Sequence, residues 1–107
     1  MSTALAIFSP VGRIDGTNAA AVEAELKSIL ESEGPNLILD LSGVDYLSSA
    51  GLRVVLVAAK STRASGGKLV LAGPRPAISE ILAMSGFDRI IEIAPDVEAA
   101  KAVLSKP

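Results

Sequence analysis

The 107-residue chain contains no cysteine, no histidine and no tryptophan, and only 3% of it is aromatic. Without thiols there is no disulfide and no thiolate nucleophile, and without imidazole the ordinary zinc ligand sets are missing. The same absence removes the usual general base, so no serine here has the partner that acyl transfer requires. So few rings supply little base stacking, and 10 basic residues against 12 acidic ones leave a net charge of −2, which is no electrostatic footprint for DNA or RNA. Long apolar runs are missing too. The longest, Val54 to Ala59, falls far short of the ~18 residues that span a bilayer. Met1-Ser2-Thr3-Ala4 lacks the basic start and apolar stretch of a secretory leader. The expectation is a soluble cytoplasmic protein with no nucleic-acid partner and no direct membrane insertion.

What the chain does have is a hydrophobic content of 50%, enough for one packed core, and a single domain over residues 1–107 is expected. Ala4 to Val11 reads as a first strand, with Pro10 marking an exposed edge or a bulge. Gly12-Arg13-Ile14-Asp15-Gly16 reads as a turn. Thr17 or Asn18 is placed to cap a helix from about Ala19 to Ser32, whose stripe is Val22, Leu26, Ile29 and Leu30. Leu37 to Leu41, bounded by Gly34-Pro35 and Ser42-Gly43, suits a central strand followed by a polar loop. The period turns helical at Leu52, with Val55, Leu56 and Ala59 on one face, and this helix runs to about Ala64. Lys68 to Ala72 is another strand. Pro76 opens a helix that Gly86 closes, Ile90 to Ile93 is a last strand, and Pro95 or Asp96 opens a terminal helix. Strands alternating with helices imply an α/β fold built on a small mixed or parallel sheet of about four strands.

Functional residues concentrate around Ser48 and Ser49. Ser48 can cap the first turn after the central loop, while Ser49, one residue on, points outward; free N–H groups and the helix dipole favour a negative charge there. Both serines equally suit plain capping. If the strands ending near Ile14, Leu41 and Ala72 run parallel, Asp15, Ser42, Ser48-Ser49 and Gly73 emerge at one sheet edge, where open α/β sheets place functional loops. Asp15, Asp40 and Asp45 supply carboxylates for a cation or for acid/base work, but their spacing reads as ordinary loop residues, and no metal or other cofactor is expected. Ser65-Gly66-Gly67-Lys68 lacks the order of a phosphate loop and precedes a strand, so it reads as a turn. Val54 and Val57 form a second apolar stripe, suited to cover by a neighbouring helix or to a contact patch.

The stretch Asp40-Leu41-Ser42, then Leu47-Ser48-Ser49-Ala50-Gly51-Leu52-Arg53 and an apolar helix, resembles the signature of STAS-domain anti-sigma factor antagonists of bacterial partner-switching systems. The resemblance continues through Gly12-Arg13-Ile14-Asp15 and Lys68 to Gly73. It implies a STAS-like domain whose N-terminal edge strand is shortened here, and a phosphoacceptor at Ser49, two residues before the Gly-Leu pair. Ser48 stands where the family commonly has an acidic residue, and Ala50 where it has a second hydroxyl. The implied partner surface is Asp15, Ser48, Ser49, Gly51, Arg53, Val54 and Val57. The implied partners are an anti-sigma factor that is also a serine kinase, and a phosphatase acting on the phosphorylated form. The chain itself would be their substrate and not an enzyme. The alternative is a STAS subunit of a larger assembly, such as a lipid-transport complex or a stressosome-like scaffold, with no phosphoswitch.

Overall fold

Short apolar runs separated by Gly, Pro and Ser become, in the computed structural model, an alternation of strands and helices across the described residues, 4–105; Met1 to Thr3, on which the leader reading rests, lie outside them. In order these are β1 (Leu5–Phe8), β2 (Gly12–Ile14), α1 (Ala19–Glu33), β3 (Asn36–Asp40), β4 (Val44–Leu47), α2 (Ser49–Ala64), β5 (Leu69–Ala72), α3 (Pro76–Met84), a 3-10 turn (Phe87–Arg89), β6 (Glu92–Ala94) and α4 (Val97–Ser105). Four strands form one sheet in the order β1-β3-β5-β6, and each neighbouring pair is parallel. Leu37, Ile38 and Leu39 of β3 pair with Ala6 to Ile7 to Phe8 on one side and with Leu69, Val70 and Leu71 on the other.

Both faces of this sheet are covered, which is why its central strands read as continuous apolar runs rather than as alternating ones. Alternate residues nevertheless point to opposite sides. Leu37, Leu39, Leu69 and Leu71 join Leu26 and Leu30 of α1, Val54, Val55 and Ala58 of α2, and Ile78 and Leu82 of α3 in the larger core. Ile38, Val70 and Ala72 face the other way, onto Ala100 of α4 with Val97 and Leu104 partly buried beside it. The expected side-chain cap of α1 does not form, because Asn18, at its N-cap, turns its Oδ1 back to accept from the Asp15 N–H and Thr17 bonds the Asp15 carboxylate; the other predicted helix ends follow the expected chemistry. Pro76 opens α3, Gly86 takes the left-handed conformation beyond its end at φ 76°, and the Asp96 carboxylate accepts from the Ala99 N–H at 2.8 Å to cap α4.

Two larger readings also change. Gly12–Ile14 and Val44–Leu47, expected as a turn and a polar loop, pair in parallel as a separate two-stranded ribbon. Gly12 lies opposite Val44 and Arg13 opposite Tyr46, so Asp45 is an extra residue bulged out of β4. The bulge brings Val44 and Leu47 to the same buried side three positions apart while Asp45 and Tyr46 face solvent. This spacing is neither the alternation nor the continuous run by which a strand is recognised.

The second change is the rotation of α2. Its buried residues are Gly51, Val54, Val55, Ala58 and Thr62, one position back from the expected stripe of Leu52, Val55, Leu56 and Ala59. Gly51 sets that rotation. A Cβ there would stand 2.7 Å from the Ile14 carbonyl oxygen and 2.6 Å from Leu47 Cδ1, so the helix lies against the ribbon through a residue with no side chain. Gly51→Ala is expected to lower stability by about 1–3 kcal/mol through overpacking against a backbone atom, despite alanine's helix preference. Leu39→Ala should cost about 2–5 kcal/mol and Leu56→Ala distinctly less. Denaturant titrations of the three variants check the order, and an equal loss at Leu39 and Leu56 would contradict the rotation.

Candidate functional site

β4 delivers the chain to α2 through Ser48, whose N–H donates to the Ile14 carbonyl at 3.0 Å. That bond ties the start of α2 to the end of β2. Ser48 is extended, at φ −86° and ψ −179°, and its Oγ accepts from the Gly51 N–H at 3.3 Å. Its carbonyl takes the first helical bond, from the Leu52 N–H at 2.8 Å. Ser48 is therefore the N-cap, and its hydroxyl oxygen is engaged there. Ser49 is the first helical residue and is exposed, and its hydroxyl makes no hydrogen bond among the described residues. The amides of the first turn that have no intrahelical partner lie at this end, and the turn contains no acidic residue. It is a positive helix end with no acidic side chain in its own first turn.

Asp15 borders this corner through Ile14, but its carboxylate belongs to its own turn. The Thr17 hydroxyl and the Thr17 N–H, the latter at 2.9 Å, both donate to Oδ1, and Arg13 Nε reaches Oδ2 at 3.3 Å. The two Thr17 bonds, aided by Arg13, hold the Asp15 carboxyl below its ordinary value. Asn18 completes the turn by donating to the Arg13 carbonyl and accepting from the Asp15 N–H. Arg13 also stacks over the ring of Tyr46, 4.5 Å from its centroid. Arg13 and Tyr46 lie on the exposed face of the ribbon, and Val11, just before β2, is exposed too. Sequence reasoning singled out neither Tyr46 nor Val11. Their signal is the pairing of β2 with β4, which the bulge conceals.

The single edge expected for Asp15, Ser42, Ser48-Ser49 and Gly73 divides into two corners. Ser42 and Gly73 meet at the end of the main sheet, where a Cβ on Gly73 would contact the Ser42 side chain at 3.5 Å. Arg75 Nε donates to the Ser42 carbonyl at 2.9 Å. Asp40 anchors this corner, accepting from the Ser42 N–H and hydroxyl at 3.0 and 2.7 Å and from the Ser9 hydroxyl at 3.2 Å. Partial burial pushes the Asp40 carboxyl up, and the hydroxyl and N–H of Ser42 with the hydroxyl of Ser9 outweigh it, so the group titrates below its ordinary value. Asp15 and Ser48 form the other corner, separated from Ser42 by the length of β4. Asp15 and Asp40 thus sit in different hydrogen-bonded turns, and the described residues include no cluster of three or more acidic groups set to hold a cation.

Two residues expected on the partner surface are inside the protein. Val54 is 2% exposed and belongs to the core, and Gly51 is buried against Ile14 and Leu47. Both follow from the rotation of α2. The outward line of the helix is Ser49, Arg53 and Val57, spaced by one turn. Arg53 is exposed and Val57 half-buried.

A STAS domain family matches residues 2–100 of the chain. A Bordetella bronchiseptica protein named as an anti-sigma factor antagonist is 43% identical over 91 residues, covering 85% of this chain and 78% of its own. The crystal structure of a Thermotoga maritima protein, also named as an anti-sigma factor antagonist, superposes with a TM-score of 0.89 at 24% identity over 95% of this chain and 88% of that one. The anti-sigma factor antagonist SpoIIAA superposes in its unphosphorylated form with a TM-score of 0.78 at 18% identity, covering 99% of this chain and 93% of that one. In its phosphorylated form the Bacillus protein superposes with a TM-score of 0.69 at 19% identity, covering 95% and 93%. No described helix is long and apolar enough to cross a membrane.

The two lowered carboxyls predict the acid limb of stability. Each binds its proton more weakly in the folded chain than in the unfolded one, so its contribution is complete above the ordinary carboxylate range, near pH 4, and is lost as pH falls through that range. Asp40→Asn should therefore flatten the fall in unfolding free energy between pH 5 and pH 3. Guanidinium titrations at several pH values measure the slope; an unchanged slope in this variant would remove Asp40 from the account.

Proposed function

The chain belongs to the STAS-domain family of anti-sigma factor antagonists, and from that premise we propose that it is a partner switch controlled by phosphorylation of Ser49. Unphosphorylated, it binds an anti-sigma factor that is also a serine kinase, and so releases the sigma factor. The observation that carries the reading is the contrast between adjacent serines. Ser48 is the cap, with its oxygen already accepting from Gly51, while Ser49 presents an exposed hydroxyl without a partner.

The transfer consists of attack by Ser49 Oγ on the γ-phosphorus of ATP. The bond to the bridging oxygen breaks, ADP leaves, and the hydroxyl proton passes to a base of the kinase. The kinase supplies the active site, nucleotide and metal, and a phosphatase hydrolyses the serine phosphate to reset the switch. The added charge of about −1.5 to −2 sits against the N–H groups of a first turn that contains no acidic residue, so the fold tolerates it. A closely apposed partner surface does not, and a coupling of ~3 kcal/mol weakens binding about a hundredfold. The surface proposed for the partner is the outward line Ser49, Arg53 and Val57, with Ser48 and Asp15 at its border.

Ser49→Ala should abolish phosphate incorporation by the cognate kinase while binding the anti-sigma factor as wild type does. Ser48→Ala should still be phosphorylated, at a cost of about 1 kcal/mol in stability from the lost cap. Ser49→Asp should melt normally and bind more weakly, the loss being partial because a carboxylate carries less charge than a phosphate. Mass spectrometry locates the phosphate, and partner titrations alongside thermal melts measure the rest. Phosphate on Ser48 alone, or undiminished affinity after stoichiometric phosphorylation, would refute the switch; a chain that binds its partner without ever being labelled is the regulatory or scaffold subunit instead.

A further inference from the structure

The start of α2 is charged against its own dipole, although Arg63 in the last turn accords with it. A helix start is stabilised by acidic side chains and destabilised by basic ones, yet the first turn here has no acidic residue and Arg53 stands in the next. Arg53 is exposed and makes no ion pair or hydrogen bond through its side chain among the described residues. Arg13, Lys27, Lys68 and Lys101 each contact a carboxylate and Arg75 holds the Ser42 carbonyl, whereas Arg53 shares its lack of a side-chain partner among the described residues with Lys60, Arg63 and Arg89; of these four it alone lies one turn from Ser49. Arg53 also lies four residues after Ser49, the spacing that brings two side chains together on one helix face. An unpaired guanidinium thus stands one turn below an unpaired hydroxyl.

We infer that Arg53 is the intramolecular counter-charge for phosphorylated Ser49, folding back along the helix to donate to the phosphate. The inference rests on the reading of Ser49 as the modified residue and adds how the modified state is read. In the unmodified chain Arg53 is free to meet acidic groups of the partner. In the phosphorylated chain its fork, suited to two phosphate oxygens, is engaged within the same helix. Phosphorylation then removes a cation from the partner surface at the same step that adds an anion. Its effect on affinity exceeds that of the phosphate charge alone.

The test needs no kinase. Phosphoserine is incorporated at position 49 during translation, in the wild-type background and with Arg53→Gln, Arg53→Lys or Arg13→Gln. The second ionisation of the phosphate, near pH 6 when unperturbed, is then followed by phosphorus NMR. A nearby cation favours the dianion and lowers this pKa. Arg53→Gln should raise it by about 0.3 pH unit or more, Arg53→Lys should restore part of the lowering, and Arg13→Gln, whose guanidinium is already held by Asp15 and Tyr46, should leave it unchanged. Circular dichroism of each protein shows that the fold is retained. The same pKa in wild type and Arg53→Gln would overturn the inference, since the helix end would then hold the phosphate unaided. So would a shift in Arg13→Gln with none in Arg53→Gln. Because the phosphate is installed during translation, a kinase that never labels Ser49 would refute the switch without touching the ion pair, and equal pKa values would refute the ion pair without touching the switch.

Discussion

The approach of α2 to the ribbon at Gly51 is the constraint on which the rest of the site depends. With the Ile14 carbonyl 2.7 Å from where a side chain would begin, the helix lies this close to the ribbon only through a residue that has none. The rotation of the helix there buries Val54, Val55 and Ala58 and directs Ser49 and Arg53 to solvent. The same Ile14 carbonyl accepts the Ser48 N–H, so one backbone group sets both the closeness of the helix and the position of its cap. A methyl group at residue 51 would move the outward line as surely as it would disturb the core.

The division of labour between the serines follows from local chemistry. A cap must have extended backbone and turn its oxygen inward, and Ser48 does both. The next residue is the first with helical dihedrals, so its hydroxyl is left outside the cap. The corner at Asp15 is stiff for a related reason, because Thr17, Asn18 and Arg13 leave its carboxylate little freedom to change partners. A rigid, hydrogen-bonded border beside an exposed hydroxyl is a surface on which the proposed phosphate would change charge without a change of shape.

Much of this was legible in the residues, and the misses have physical causes. Leu37 to Leu39 and Leu69 to Leu71 read as strands because both of their faces are buried, and α1 was found from its Leu26–Leu30 spacing. Pro76, Gly86 and Asp96 marked helix ends by their own conformational or capping chemistry. The ribbon escaped because a bulge at Asp45 replaces a two-residue period with three, and because β2 is only three residues long. The rotation of α2 escaped because Leu52, Val54, Val55, Leu56 and Val57 are all apolar, so composition permits either face and only contact at Gly51 decides. Val54 consequently moved from surface to core, and Tyr46 entered a site for which nothing had nominated it.

The two sides of α2 therefore answer to different demands. Inward residues are fixed by a strand carbonyl and a packed core, whereas Arg53, Val57 and Lys60 along the outward line carry no part of either core cluster. Sequence change along that line is decoupled from folding, so the wiring of such a chain can diverge while its architecture stands still. Several copies within one cell could acquire separate partners, insulated from one another, by exchanging a handful of outward side chains around an unaltered glycine.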